Sequence, residues 1–161
     1  MAYCVIRTDL MSGTKQPADL VSIRFYNAEG EVAEVENGTI VELQGYEEGE
    51  REVMKAVLAT SASDINNCAV VAGVEVMYDE RKKNLDEYIN EAGKPARGYL
   101  LRTGNMFALT AEGFKSNTAP AKAGKVGIAD GKLDAAATGF GECVAVEDAG
   151  RYTYHVIKIT G

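Results

Sequence analysis

The clearest alternation of apolar and polar positions runs through EVAEVENGTIVELQG, Glu31 to Gly45. Two β-compatible runs flank Asn37-Gly38, the dipeptide that best tolerates the positive φ angles of a type I′ turn, so the pattern predicts a β-hairpin there. REVMKAVLA, Arg51 to Ala59, is mixed: its apolar spacing suits a helix, while Val53, Val57 and the neighbouring strands favour β. Polar TSASDINN predicts a loop, and AVVAGVEVMY, Ala69 to Tyr78, has the valine density of a buried strand.

A helical period shows in one place. Leu85, Tyr88, Ile89 and Ala92 fall at i, i+3, i+4 and i+7, which aligns them on one face. Asn84 is placed as an N-cap with Glu87 three residues on, Gly93 suits the residue after a helix, and Pro95 prevents continuation. The pattern predicts a helix of about two turns interrupting the strands. Arg81, Lys82 and Lys83 lie just before it, and Lys94 and Arg97 just after.

Strand patterns resume with a turn at Thr103-Gly104-Asn105 between Tyr99–Arg102 and Met106–Thr110. KSNTAPAKAGK, Lys115 to Lys125, reads as a loop or linker. The C-terminal third predicts hairpins: Val126–Ala129 and Lys132–Ala136 around Asp130-Gly131, then Cys143–Glu147 and Arg151–Ile159 around Asp148-Ala149-Gly150. The last strand carries Tyr152, Tyr154 and Val156 on one face and Thr153, His155, Ile157 and Ile159 on the other. With apolar residues on both faces it should be central or wrapped in a barrel. The expected fold class is mainly β, a small barrel or sandwich built from hairpins with one or two short helices. One domain, residues 1–161, accounts for the length, with a hairpin-rich C-terminal lobe at about 120–161.

Composition narrows the partners. A hydrophobic fraction of 46% supplies a core, and 24 acidic against 17 basic residues give a formal net charge of −7. That surface repels phosphate backbones, so nucleic acid is not an expected partner. No apolar run approaches the roughly 18 residues of a membrane span, so no membrane partner is expected either. Cys4, Cys68 and Cys143 are far apart and odd in number, which suits free buried thiols in a chain made in a reducing cytoplasm.

Candidate chemistry is sparse. His155 is the sole histidine and Cys143 the nearest thiol, one hairpin away. A Cys–His dyad needs the side chains within about 3 Å and an oxyanion donor. A packed structural histidine is the plainer reading. GKVGIADGKL misses the phosphate-loop pattern: Gly127 to Gly131 is one residue short, and Leu133 stands where a hydroxyl must hold magnesium. GFGECV has Val144 where a dinucleotide fingerprint needs its third glycine. Carboxylate pairs such as Asp79-Glu80 and Asp86-Glu87 lie beside lysines, and neither a calcium-loop order nor a zinc ligand set is present. No catalytic residue, cofactor or metal is expected.

The charged stretch itself offers an interaction patch. Arg81, Lys82, Lys83, Tyr88, Lys94, Arg97 and Tyr99 are the candidate partner-interface residues, because tyrosine and arginine join apolar area to directional donors. The same residue types also clamp single-stranded nucleic acid or form a plain solvated face, and the acidic balance elsewhere favours a protein partner.

NGTIVELQG, GEREVMKAV, VMYDERKKNLDEYINEAGKPARGY and GNMFALT together resemble small structural head proteins of tailed bacteriophages, from about Thr8 to the C-terminus. The end of the chain, from GKVGIADGKL to VIKIT, is similar to the β-hairpin lobes of capsid decoration proteins. The resemblance implies a non-enzymatic decoration (cement) protein or the base of a head fibre, made in the host cytoplasm and located on the capsid surface of the virion. Its implied partner is the major capsid protein lattice, and its implied form a homo-oligomer, with a trimer favoured. The alternatives are a β-rich glycan- or host-factor-binding module and a small hydrolase built on Cys143 and His155.

Overall fold

In LVSIRF the apolar Val21, Ile23 and Phe25 alternate with Leu20, Ser22 and Arg24, and this period of two builds the first strand of the computed structural model, β1 (Leu20–Phe25). The structure describes residues 2–7, 20–73 and 88–160. β1 joins β2 (Ile40–Tyr46), β3 (Val53–Leu58), β4 (Cys68–Val71) and β5 (Ala96–Leu100) in a closed barrel of order β1-β3-β2-β4-β5. β1 and β3 run parallel, with Ser22 opposite Val53, and β1 pairs antiparallel with β5 to close the ring. Closure removes the unpaired edges that an open sheet would present.

The barrel interior is narrow and filled by side chains, as a small barrel requires. Ile23, Phe25, Val35, Val41, Ala56, Ala69 and Val71 make that cluster. Gly98 on β5 is part of the fit: a Cβ there would stand 3.3 Å from Ile23 Cγ2 and 3.5 Å from the Ala69 Cβ.

A second sheet follows, from β6 (Met106–Leu109), β7 (Lys125–Ala129), β8 (Lys132–Asp134), β9 (Gly141–Ala149) and β10 (Tyr152–Ile159), in the order β6-β10-β9-β7-β8. β10 lies between β6 and β9, where its two apolar faces are both used. The hairpin-rich part thus begins at Met106, and it also takes in the start of the chain. Ile6 bridges to Leu109, the Arg7 N–H donates to the Ala108 carbonyl (2.9 Å), and the Thr110 N–H donates to that of Val5 (3.0 Å).

Barrel and sheet share one core. β2 and β4 send Val41, Ala69 and Val71 inward, while Ile40, Cys68 and Val70 face out of the barrel. There they meet Leu109, Phe114, Phe140, Ile157 and Ile159 of the C-terminal half. Burial on both faces explains the continuous apolar run of β4. The β7–β8 turn seals the seam: Asp130 (φ 49°) and Gly131 (φ 79°) have the paired positive angles of a type I′ turn. The Ile40 N–H donates to Gly131 O (2.7 Å), and the Gly131 N–H to Ala59 O (2.8 Å).

The mainly β class is what the structure has, and Arg51–Ala59 resolves as the strand β3. Three local expectations change. Asn37-Gly38 is a turn, with Gly38 at φ +86°, but its arms do not pair with each other: Val35 bridges to Asn90, and β2 pairs with β3 and β4. The expected helix fails over its described half. Asn84 to Glu87 lie outside the described residues, whereas Tyr88 to Ala92 are not helical and Asn90 forms an antiparallel bridge to Val35. A two-turn helix is marginal without tertiary support, and here the tertiary partner takes the backbone instead. The helical elements among the described residues are 3₁₀ turns at Ile65–Asn67, Ala111–Gly113 and Lys115–Asn117. Finally, the Thr103-Gly104-Asn105 turn joins the two sheets rather than a hairpin.

Candidate functional site

Gly73 and Tyr88 flank residues 74–87, which lie outside the described residues, and one buried side chain ties the two flanks together. Asn37, 1% exposed, donates through Nδ2 to the Gly73 carbonyl (3.0 Å) and accepts at Oδ1 from the Gly73 N–H (2.9 Å). The Asn90 amide, 6% exposed, donates to Asn37 Oδ1 (2.9 Å) and to the Val35 carbonyl (3.0 Å). The Tyr88 hydroxyl donates to Asn90 Oδ1 (3.0 Å). Asn37 imitates a strand neighbour for Gly73, so buried polar groups at the base of the stretch are satisfied without a regular ladder.

Beyond Asn90 the chain turns through Gly93 (φ +78°), Lys94 and Pro95 into β5. This exit loop is buttressed. Arg24, at a polar position of β1, donates from Nε to the Gly93 carbonyl (3.2 Å) and from its guanidinium to Glu50 (3.1 Å), with Glu47 at 3.7 Å. The Tyr26 hydroxyl donates to Glu47 in turn. The hydrogen bond that Arg24 donates to Glu50 raises the Arg24 pKa, so the guanidinium stays charged. The loop and the β2–β3 turn share a concavity of about 320 Å³ lined by Arg24, Glu50, Arg51, Glu52, Val53 and Pro95. A second, of about 560 Å³, continues from it over Glu50 and Arg51 to Tyr46, which is 64% exposed.

The seven residues singled out in sequence therefore part company. Arg81, Lys82 and Lys83 lie outside the described residues. Lys94 is exposed and ion-paired with Glu91, and Arg97 is exposed on β5 opposite Ser22. Tyr88 is half-buried with its hydroxyl committed to Asn90, and Tyr99 is half-buried against the shared core, opposite Leu20 and Val70. Both tyrosines serve the fold. Arg51 stands beside Pro95 in one concavity and beside Tyr46 in the other, and the sequence reading passes over both. The signal for them was slight: an aromatic and an arginine flanking the acidic turn EEGE.

The other constellation, Cys143 with His155, is not assembled. Cys143 stands opposite Ile157, and its thiol donates to the Ala145 carbonyl (3.4 Å); burial pushes its pKa up. His155 stands opposite Val146, its ring edge-on to Phe114 at 5.7 Å, with Nδ1 buried and without a hydrogen-bond partner. Burial lowers the His155 pKa, so the ring is neutral at pH 7. As pH falls through about 6.5 the unfolded chain takes the proton first, and stability is lost toward acid. Among the described residues no group of His, Cys, Asp and Glu could hold a metal ion, and no helix is long and apolar enough to cross a membrane.

Burial pushes the Cys4 thiol up to about 12 and that of Cys68 to about 11. At pH 8 that leaves on the order of one ten-thousandth of Cys4 as thiolate. The folded protein should therefore release less than one thiol equivalent to a disulfide reagent in the minutes in which the guanidinium-unfolded chain releases all 3. A full equivalent released at once from folded protein would contradict the burial described for these side chains.

No protein-family model, no curated protein and no solved structure matches this chain.

Proposed function

We propose that this chain is a non-enzymatic virion protein of a tailed bacteriophage that binds the outer surface of the assembled capsid and reinforces it, as a decoration or cement protein. The observation that carries the reading is the buttressed exit loop. Pro95 lines one concavity with Arg24 and Arg51, Arg51 and Tyr46 line the adjoining one, and exposed Lys94 and Arg97 flank Pro95 along the chain. Arg24 already holds the Gly93 carbonyl of this loop, so little conformational freedom is lost on docking. The resemblance of the charged stretch and the C-terminal hairpins to phage head proteins supplies the partner, the major capsid protein lattice. Arg81, Lys82 and Lys83 belong to the same proposed interface. A lattice repeats its sites, so a homo-oligomer, a trimer in this reading, gains avidity from several weak contacts at once.

Purified protein mixed with bare capsids of its own phage should co-pellet and saturate at a copy number that matches the lattice symmetry. Reversing Arg51 and Arg97 to glutamate should weaken binding about tenfold at low salt and flatten its salt dependence, with the thermal midpoint nearly unchanged. Folded wild-type protein left entirely in the supernatant would end the proposal.

A further inference from the structure

On one side the seam between barrel and sheet opens into a cleft of about 320 Å³. Its walls are apolar: Phe25 and Val35 from the barrel, Ile89 between Tyr88 and Asn90, and Leu58 at the end of β3. Leu58 is 43% exposed although it is a large aliphatic residue. The cleft is built on fixed parts. The β7–β8 turn on its rim is tied to Ile40 and Ala59 by backbone hydrogen bonds, and a Cβ at Gly131 would stand 2.4 Å from Leu58 Cδ2.

The charge at its mouth has one sign. Lys132 is committed inward, to Glu36 (3.1 Å) and to the Glu112 carbonyl (2.9 Å), while Glu36 also accepts from the Cys4 N–H (2.9 Å). That pair cancels. Glu34 and Asp130 remain, both exposed on the rim, and neither side chain has a hydrogen-bond or ion-pair partner among the described residues. An apolar floor under unpaired carboxylates selects against anions. It also selects against a purely apolar occupant, which would strip water from the carboxylates and give nothing back.

We propose that this cleft binds a partner protein through a cationic side chain on an apolar segment, an arginine or lysine flanked by aliphatic residues. The stem of such a side chain lies along Leu58 and Val35, and its charged end reaches Glu34 and Asp130. The volume fits one long side chain and its immediate neighbours. This site shares no lining residue with the concavities at the exit loop, and it requires nothing of the capsid reading.

The test is a titration of the uniformly ¹⁵N-labelled full chain with acetyl-Leu-Arg-Leu-amide, followed by amide NMR. The arginine peptide should shift the amides of Leu58, Ile89 and Gly131 saturably in the millimolar range, as expected for one anchored side chain. Acetyl-Leu-Gln-Leu-amide should bind roughly five-fold more weakly, and raising the salt should close that gap, because screened charge makes the difference. The double variant Glu34→Gln/Asp130→Asn should lose the arginine preference while its other amides stay in place. Asparagine tolerates the positive φ at Asp130, so the turn is kept. No shift at those amides, equal binding of the two peptides, or an unchanged preference in the double variant would each overturn the proposal. If the double variant failed to fold, the peptide comparison and its salt dependence on the wild-type chain would still decide.

Discussion

Replacing Gly38 by alanine should cost the fold about 2–5 kcal/mol, from two penalties at one position. Gly38 has φ +86°, a conformation worth about 1–2 kcal/mol against any residue with a Cβ. That Cβ would also stand 2.4 Å from Cys4 Sγ and 3.3 Å from the Cys4 Cβ. Cys4 has little room to retreat: it is 2% exposed and its N–H is bonded to Glu36. Overpacking of such a site adds about 1–3 kcal/mol. The measurement is the urea midpoint at unchanged slope, for the single variant and for the double variant Cys4→Ala/Gly38→Ala. The double variant should be more stable than the sum of the singles, because removing the sulfur relieves the steric part and leaves the backbone part. A Gly38→Ala protein within about 0.5 kcal/mol of wild type would refute the close packing of the N-terminal segment against this turn.

Asn37→Ala should cost about 3–5 kcal/mol, since it strips partners from several buried groups at once. The Gly73 N–H and carbonyl both lose their hydrogen bonds, and the Asn90 amide loses one of its two acceptors. Each buried group left unsatisfied costs about 1–3 kcal/mol. Amide exchange should report the place as well as the size: Gly73 and Asn90 should lose protection first, ahead of β10. Asn37→Asp gives a finer test. The new carboxyl can still accept from the Gly73 N–H, but its other oxygen faces the Gly73 carbonyl, so its folded pKa is raised above the unfolded value of about 3.9. The folded form then prefers the proton, and the variant's deficit should be largest at pH 7 and shrink as pH falls below that raised pKa. A pH-independent deficit would mean that the side chain does not sit against the Gly73 carbonyl.

How much of this was readable in the residues depends on how far apart the partners stand. The C-terminal hairpins were legible because Asp130-Gly131 and Gly150 act on their immediate neighbours, and the strand registers follow from those turns. The central place of β10 was legible from apolar residues on both its faces. Lys94 and Arg97 were legible as an exposed pair from charge and from Pro95 alone. The period of two also carried the mainly β class.

The rest depended on contacts between distant residues. Nothing within reach of β1 announces that it will pair parallel with β3 and close on β5, because parallel pairing needs a long crossover and has no turn to mark it. Asn37-Gly38 has the local chemistry of a hairpin turn, but Asn37 finds Gly73, 36 positions on, and Asn90, 53 positions on, and those bonds decide its use. The same competition turned Tyr88 and Asn90 away from a helix whose spacing was present in the sequence. Arg51 reached Pro95 only through the β2–β3 turn, and Glu34 and Asp130 came to line one cleft only when the barrel docked on the sheet. Local pattern determines which backbone shape a segment favours by fractions of a kcal/mol per residue. Burying an amide or an isoleucine against a distant partner is worth a kcal/mol or more, so where the two disagree the tertiary contact wins.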